Sequence, residues 1–288
     1  MASPLVGASA VAARTERMKI GLAVQVLPLA NPLRIAEETA IVDHISKGRL
    51  IVGVGRSSFL ESYQGYNIDY SESRERFAES LDVLLQAWGQ DTFSYQGEFY
   101  SYHNVQLVPK TYQEPHPPIR IAVESRDTFT LAGRLGFPIF IRHKMSVPEL
   151  QHLLSEYRDA RVSAGFHGPN DVILQIGGYV ANTSQEAIGD PEESSMHRIR
   201  VIQDNLDKAA DQETYERLKA SSSVTYGDLL QKVAFGTPQA VIEKIKQYQN
   251  DLGITGISFD INPGGQIPFS KVSKSLQLLT QKVMPFLK

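Results

Sequence analysis

The stretch from Met18 to Ser58, MKIGLAVQVLPLANPLRIAEETAIVDHISKGRLIVGVGRSS, decides the fold. Lys19 to Val26 is an apolar run of strand length, and Pro28 ends it. Asn31-Pro32 then opens a helix, with Asn in the capping position and proline in the first turn. Leu33, Ala36, Ala40 and Ile41 form its expected inner face. Lys47-Gly48 closes it with a cation and a residue that tolerates left-handed backbone. Leu50 to Val54 is a second strand, and Gly53-Val54-Gly55-Arg56-Ser57 leads off its carboxyl end. A strand, a helix and a strand in this order make the crossover that joins parallel strands. Folds of this kind place ligands at the carboxyl ends of their strands, which is where Arg56 emerges.

The same rhythm continues along the chain. Ser71 or Ser73 caps a helix with Phe77, Leu81, Leu84, Leu85 and Trp88 inward, and Phe93 to Tyr100 reads as a hairpin turning near Gln96-Gly97. Ile119 to Val123 is a strand, followed by Glu124-Ser125 and a helix to about Leu135. Ile139-Phe140-Ile141 is the next strand, then a helix from Pro148 to Ala164, then a strand from Val172 to Ala181. Ser184 to Lys232 is polar and helical. Gly236-Thr237-Pro238 starts another helix, Gly256 to Ile261 is a strand, and Ser270 to Leu287 is a closing helix. An N-terminal helix begins at Ser3-Pro4, with Leu5, Ala8, Val11 and Ala12 on one face. Six strands alternating with helices predict a parallel sheet wrapped by helices, in one domain spanning 1–288 with a polar helical insertion at about 184–232.

Bulk properties narrow the function. A net charge of −3 gives no electrostatic footprint for nucleic acid. The absence of cysteine removes disulfides, thiolate nucleophiles and Cys-ligated metal, and suits a reducing, cytoplasmic setting. No apolar run is long enough for a membrane span. The seven histidines show no metal-ligand spacing, so no metal is expected.

Four residues suit an anion. Arg56 leaves one strand, Arg74 starts the following helix, and Ser125 and Thr128 sit at a later strand-to-helix junction, where free backbone N–H groups attract anions. Two guanidiniums and two hydroxyls would match a phosphomonoester, because Arg binds phosphate oxygens bidentately. Each arginine could instead pair with Glu72, Glu75 or Glu79. His143 follows the Ile139–Ile141 strand at its carboxyl end and is a candidate for lining a substrate pocket. His44 and His116 read as capping and structural residues.

Leu22 to Arg34, Asp43 to Leu50, Gly53 to Arg56, Asp69 to Arg74, Pro115 to Ile119, Val123 to Ser125, Gly236 to Pro238 and Phe259 to Leu287 together resemble the bacterial luciferase-like flavin monooxygenases. The resemblance covers nearly the whole chain and is weakest from Ser184 to Lys232. It implies a TIM-type (β/α) barrel that uses reduced FMN and O₂ to oxygenate an aldehyde or another small organic substrate. Reduced flavin would come from a separate reductase, and unpaired sheet edges would seek partners in a homo-oligomer. By position, Arg56 and Arg74 match the family's phosphate arginines, and Ser125 and Thr128 its phosphate hydroxyls. Val123 and Glu124 lie beside them. Ala23 and Val24 match the pair beneath the isoalloxazine ring, joined in luciferases by a cis non-proline bond. His143 falls where luciferases carry an aromatic residue.

One departure stands out. Family members begin with two strands and a helix ahead of the point where this sequence starts, and those units carry the luciferase catalytic histidine. The expected architecture is therefore a TIM-type barrel lacking its first two strands, with no catalytic residue assigned. Three readings follow: a fragment or shifted start, a shortened protein pairing its sheet edges in a dimer, or a flavin binder without catalysis. A deazaflavin-dependent oxidoreductase of the same fold is a further alternative.

Overall fold

The computed structural model describes residues 3–57, 60–168, 170–204, 206 and 212–287. They form two compact units, Met1–Ala122 and Val123–Lys288.

The first unit opens with α1 (Pro4–Ala12), β1 (Ile20–Gly21), β2 (Gln25–Val26), α2 (Pro32–Ser46) and β3 (Leu50–Gly55). Both β1 and β2 run parallel to β3, so the single strand expected over Lys19–Val26 is interrupted. Five steps separate Ile20 from Gln25, against four between their partners Leu50 and Val54. One extra residue is accommodated there, as in a bulge. Asn31 caps α2 as expected, its Oδ1 accepting the N–H groups of Leu33 at 3.0 Å and Arg34 at 3.2 Å. The buried face of α2 differs from the expected one. Ile35, Ala36, Thr39, Ala40, Val42 and Asp43 are buried, and Ile41 is exposed. Burying Asp43 is tolerated because its carboxylate accepts two 2.8 Å hydrogen bonds from Gln113.

Arg49, one residue ahead of β3, ties down the link between α1 and β1. Its guanidinium donates to the carbonyls of Ala12, Thr15, Met18 and Ser46. The unit continues with α3 (Leu60–Gln64), α4 (Ser73–Gly89), the antiparallel pair β4 (Phe93–Gln96) and β5 (Ser101–Val105), and β6 (Ile119–Ala122), which lies parallel to β3. The expected inward residues Phe77, Leu81, Leu84 and Trp88 of α4 are buried. Trp88 Nε1 donates to the Ala36 carbonyl, which fixes α4 on α2. The hairpin extends further than expected, to Val105. Its turn is secured by Glu79, whose carboxylate accepts backbone N–H groups of Glu98, Phe99 and Tyr100.

The second unit contains α5 (Arg126–Arg134), β7 (Ile139–Arg142), α6 (Val147–Ser163) and β8 (Val172–Val180), then α7 (Ser184–Gly189), α8 (Glu192–Gln203), α9 (Gln212–Ser222) and α10 (Tyr226–Lys232). It closes with β9 (Ala234–Gly236), α11 (Pro238–Leu252), β10 (Gly256–Asp260) and α12 (Phe269–Leu278). The pairs β7–β8, β8–β10 and β8–β9 are all parallel. The short β9 is a strand that periodicity did not reveal. The expected polar stretch at 184–232 is helical where described; residues 205 and 207–211 lie outside the described residues. The closing helix is shorter than expected, since α12 ends at Leu278 and gives way to a π-helical turn over Leu279–Val283.

Period-two alternation splits this sheet cleanly. Ile139, Ile141, Val172 and Leu174 are buried, while Phe140, Arg142, Ile173 and Gln175 are partly exposed on the opposite face. At Gly177 and Gly178 β8 is overlaid from both sides. A side chain at Gly178 would run into the ring of Phe259, and one at Gly177 would press on Val233 and Phe235.

Candidate functional site

In the first unit the sequence-derived site residues gather around the carboxyl end of β3. Ala23 and Val24 lie between β1 and β2, and the peptide bond joining them is cis, as the family resemblance implies for that pair. Val24 packs over the last residue of β3. A Cβ at Gly55 would stand 2.9 Å from Val24 Cγ2 and 3.4 Å from Ala122 Cβ. Valine is stiff about χ1, so the glycine is what admits it. Gly55→Ala is therefore expected to cost about 1–3 kcal/mol by overpacking. Gly7→Ala, where nothing lies within 4 Å, should be neutral or stabilising. Urea denaturation midpoints of the two variants test this, and equal midpoints would disprove the crowding at Gly55.

Arg56 follows directly. Its carbonyl accepts the Tyr63 hydroxyl, and its Nη1 donates to Ser73 Oγ at 3.2 Å. Ser73 is the first residue of α4 and Arg74 the second, so Arg56 reaches the turn that carries Arg74. Burial pushes the Tyr63 hydroxyl up to about 12, so it stays protonated and donates throughout the neutral range. Two of the acids that might have neutralised Arg56 are committed elsewhere: Glu72 pairs with Arg76 at 2.7 Å, and Glu79 holds the hairpin turn. A guanidinium bonded to a neutral hydroxyl keeps its charge for an external anion.

In the second unit Val123 is buried, its N–H bonded to the Phe140 carbonyl at 3.0 Å. Glu124 accepts from Lys144 Nζ at 2.9 Å. Ser125 Oγ and Thr128 Oγ1 are 3.1 Å apart at the start of α5. Thr128 Oγ1 also accepts the Ser125 N–H at 3.1 Å and donates to the Ser125 carbonyl at 2.7 Å. The two predicted hydroxyls are thus brought together at a helix amino end, whose N–H groups and dipole favour an anion. Phe129, buried beneath the same turn, anchors it.

His143 sits where β7 ends. Its Nδ1 lies 3.4 Å from the Lys232 carbonyl and 3.3 Å from the Tyr248 hydroxyl, with the two rings edge to face at 5.1 Å. Its Nε2 is buried without a hydrogen-bond partner among the described residues. The ring is therefore engaged by Tyr248 of α11. Burial, chiefly, lowers its pKa below the usual 6.5; the hydrogen bond to the Lys232 carbonyl opposes this, and the charges of Lys232 and Lys244 reinforce it. The unfolded chain then takes up a proton that the folded one resists. The resulting stability is complete above pH 6.5 and is lost as pH falls through that value toward the depressed folded pKa. Relative to His143→Gln, the wild-type denaturation midpoint should drop between about pH 7.5 and pH 5.5. Parallel pH profiles for the two would disprove the assignment.

Sequence reading missed Ser73, Tyr63, Arg142 and Lys144 as neighbours of these groups. Arg142 could have been found from strand alternation, because it shares a face with Phe140 rather than with the buried Ile139 and Ile141. Ser73 and Tyr63 carry no local signal. Among the described residues no group of three or more His, Asp or Glu side chains could hold a metal, and no helix is long and apolar enough to cross a membrane.

Helix-flanked parallel strands with anion-suited residues at their carboxyl ends define a TIM-type α/β protein. Solved structures of that type match the whole chain. The monooxygenase RslO1 from Streptomyces bottropensis superposes with a TM-score of 0.81 at 26% identity, over 99% of this chain and 83% of that one. The oxygenating constituent of 3,6-diketocamphane monooxygenase from Pseudomonas putida, in complex with FMN, gives 0.82 at 17%, over 99% and 84%. An F420-dependent secondary alcohol dehydrogenase gives 0.76 at 16%, over 100% and 84%. The model of the luciferase-like monooxygenase family matches residues 1–255, and the chain belongs to that family.

Among relatives, an uncharacterised Sinorhizobium fredii protein is 34% identical over 46% of this chain, a match that spans only 39% of that relative's length. The alkanal monooxygenase alpha chain of the Kryptophanaron alfredi symbiont is 25% identical over 100% of this chain and 84% of its own. The oxygenase component of a flavin-dependent trigonelline monooxygenase from Acinetobacter baylyi is 23% identical, over 98% and 80%.

Proposed function

We propose that the chain binds FMN and works as the oxygenase component of a two-component monooxygenase, taking reduced flavin from a separate reductase and using O₂ on a small organic substrate. Arg56, Arg74, Ser125 and Thr128 are its phosphate ligands, with Val123 and Glu124 beside the hydroxyls, and Ala23 and Val24 support the ring. The observation that carries this reading is Arg56: a guanidinium at a strand's carboxyl end, bonded to the Ser73 hydroxyl while Glu72 and Glu79 are engaged elsewhere. Family membership supports it, as does the FMN-bound relative of the same fold.

When bound, reduced flavin supplies the electrons that let O₂ be split between substrate and water. The chain's own residues then bind and orient. Arg56 neutralises phosphate charge, and the amino end of α5 adds N–H dipoles to the hydroxyls. Val24 offers an apolar surface held in place by Gly55. His143, engaged by Tyr248, holds the turn after β7 rather than donating protons.

The deciding experiment has two parts. Titration should show FMN binding more tightly than riboflavin, which lacks the phosphate, and more tightly than the deazaflavin F420. With NADH, FMN, a flavin reductase and an aldehyde panel, product should form only when the reductase is present. Tighter binding of F420 than FMN would move the chain to the deazaflavin branch. FMN binding without product from any substrate would leave a flavin carrier.

A further inference from the structure

Five charged side chains of the second unit stand together at the carboxyl ends of its strands. Lys144 Nζ is 2.9 Å from Glu124 Oε1, and Arg198 Nη1 is 2.8 Å from Asp260 Oδ2. Each of these cations has a close carboxylate. Arg142 does not. Its Nε donates to the neutral Gln175 Oε1 at 2.9 Å, and its nearest carboxylate oxygen is that of Glu124, 3.7 Å away and already closer to Lys144. The cluster therefore holds one positive charge more than its acids balance. Burial, foremost, disfavours the Arg142 cation; Glu124 opposes this, while Arg198 adds repulsion. An incoming anion would relieve both the poor solvation and the repulsion.

The surroundings fix what kind of anion fits. In the sheet register Arg142 is level with Gln175, and Gln175 with Ser258. One layer toward the amino ends, on the same partly exposed face, Phe140 is level with Ile173. An apolar floor thus adjoins a row of polar groups headed by a guanidinium. Such a surface suits a planar or short apolar body bearing one carboxylate. Arg is the cation of choice for it, because its fork meets both carboxylate oxygens.

We propose that Arg142 is a specificity-determining residue that selects small organic acids with an apolar body, held through their carboxylate. The inference deepens the oxygenase reading and rests on it for the word substrate; the anion site itself rests on the sheet face alone. The same chemistry could be offered by the flavin phosphate, so the two sources must be separated.

Benzoate and its neutral isostere benzamide serve as probes, titrated calorimetrically into the full chain, with FMN affinity measured independently by flavin fluorescence. Wild type should bind benzoate at least tenfold more tightly than benzamide. Arg142→Gln should lose at least tenfold in benzoate affinity, with benzamide and FMN each changed less than twofold. Arg142→Lys, which keeps the charge but not the fork, should fall between, and it decides the matter if the Gln variant does not fold. Equal affinity of wild type for the two probes, or unchanged benzoate binding in both variants, would overturn the proposal. Loss of FMN affinity with benzoate untouched would overturn it too, and assign Arg142 to the flavin phosphate. Absence of FMN binding by wild type, with the benzoate pattern intact, would instead sink the flavin reading and leave the anion site standing.

Discussion

Arg56→Ala should weaken FMN binding by about 1.5–3 kcal/mol, roughly a 10- to 150-fold rise in Kd, because a charged hydrogen bond to phosphate is lost. The control is riboflavin. It shares the ring system but has no phosphoryl group, so its affinity should be the same in wild type and variant. Arg56→Lys should recover part of the loss, as an ammonium keeps the charge but not the paired donors. The result is readable because Arg56 has little structural duty: among the described residues its side chain makes one hydrogen bond, at 3.2 Å to Ser73, while Tyr63 is held by the Arg56 backbone carbonyl, which alanine retains. Equal losses for FMN and riboflavin would place the effect on the ring or on folding. No loss for either would remove Arg56 from the site.

Phe129→Ala is expected to cost about 3–5 kcal/mol of stability. The side chain is 1% exposed, so truncation leaves a void in a region with little room to relax. Tyr157, on the facing α6, is equally buried, and a Cβ at Gly133 of α5 would touch the Tyr157 carbonyl and Ala160, so the two helices are already in close contact. The loss should also reach the site, since Phe129 follows Thr128 and its N–H bonds to the Ser125 carbonyl at 3.2 Å. Guanidinium denaturation followed by circular dichroism is the proper measure. The lone tryptophan, Trp88, lies in the first unit and would report that unit first. A midpoint within error of wild type would show that the anchor beneath α5 is elsewhere.

Much of the architecture was legible because it is written locally. The Asn31-Pro32 start, the Lys47-Gly48 stop and the apolar run Leu50–Val54 each obey capping or periodicity rules that need no distant partner, and each sits where expected. What escaped was set by partners far along the chain. Hydropathy cannot show the extra residue between β1 and β2, because it exists only relative to the register of β3. The buried face of α2 was misjudged by favouring Ile41 over Asp43. The carboxylate is accepted inside because Gln113, seventy residues away, satisfies it. β9, at three residues, is too short for any period.

The candidate site divides in the same way. Ser125 and Thr128 are three residues apart at a helix start, so their meeting is a property of the local turn. Arg142 lies one residue past the expected strand Ile139–Ile141, and its significance rests on Gln175, Glu124, Arg198 and Asp260, drawn from four separate segments. The Ser73 hydroxyl that steadies Arg56 is likewise invisible until the loop between them is folded.

The adjoining glycines of β8 carry a consequence of their own. Where most strands shield their peptide groups with their own side chains, Gly177 and Gly178 borrow that shielding from neighbours: Phe235 and Val233 across one surface, Phe259 across the other. The cover over this point of the strand, complete at Gly178 and partial at Gly177, is thus a loan from β9, β10 and the residue ahead of β9. Trimming either aromatic ring would wet the backbone of a strand whose own sequence had not been touched.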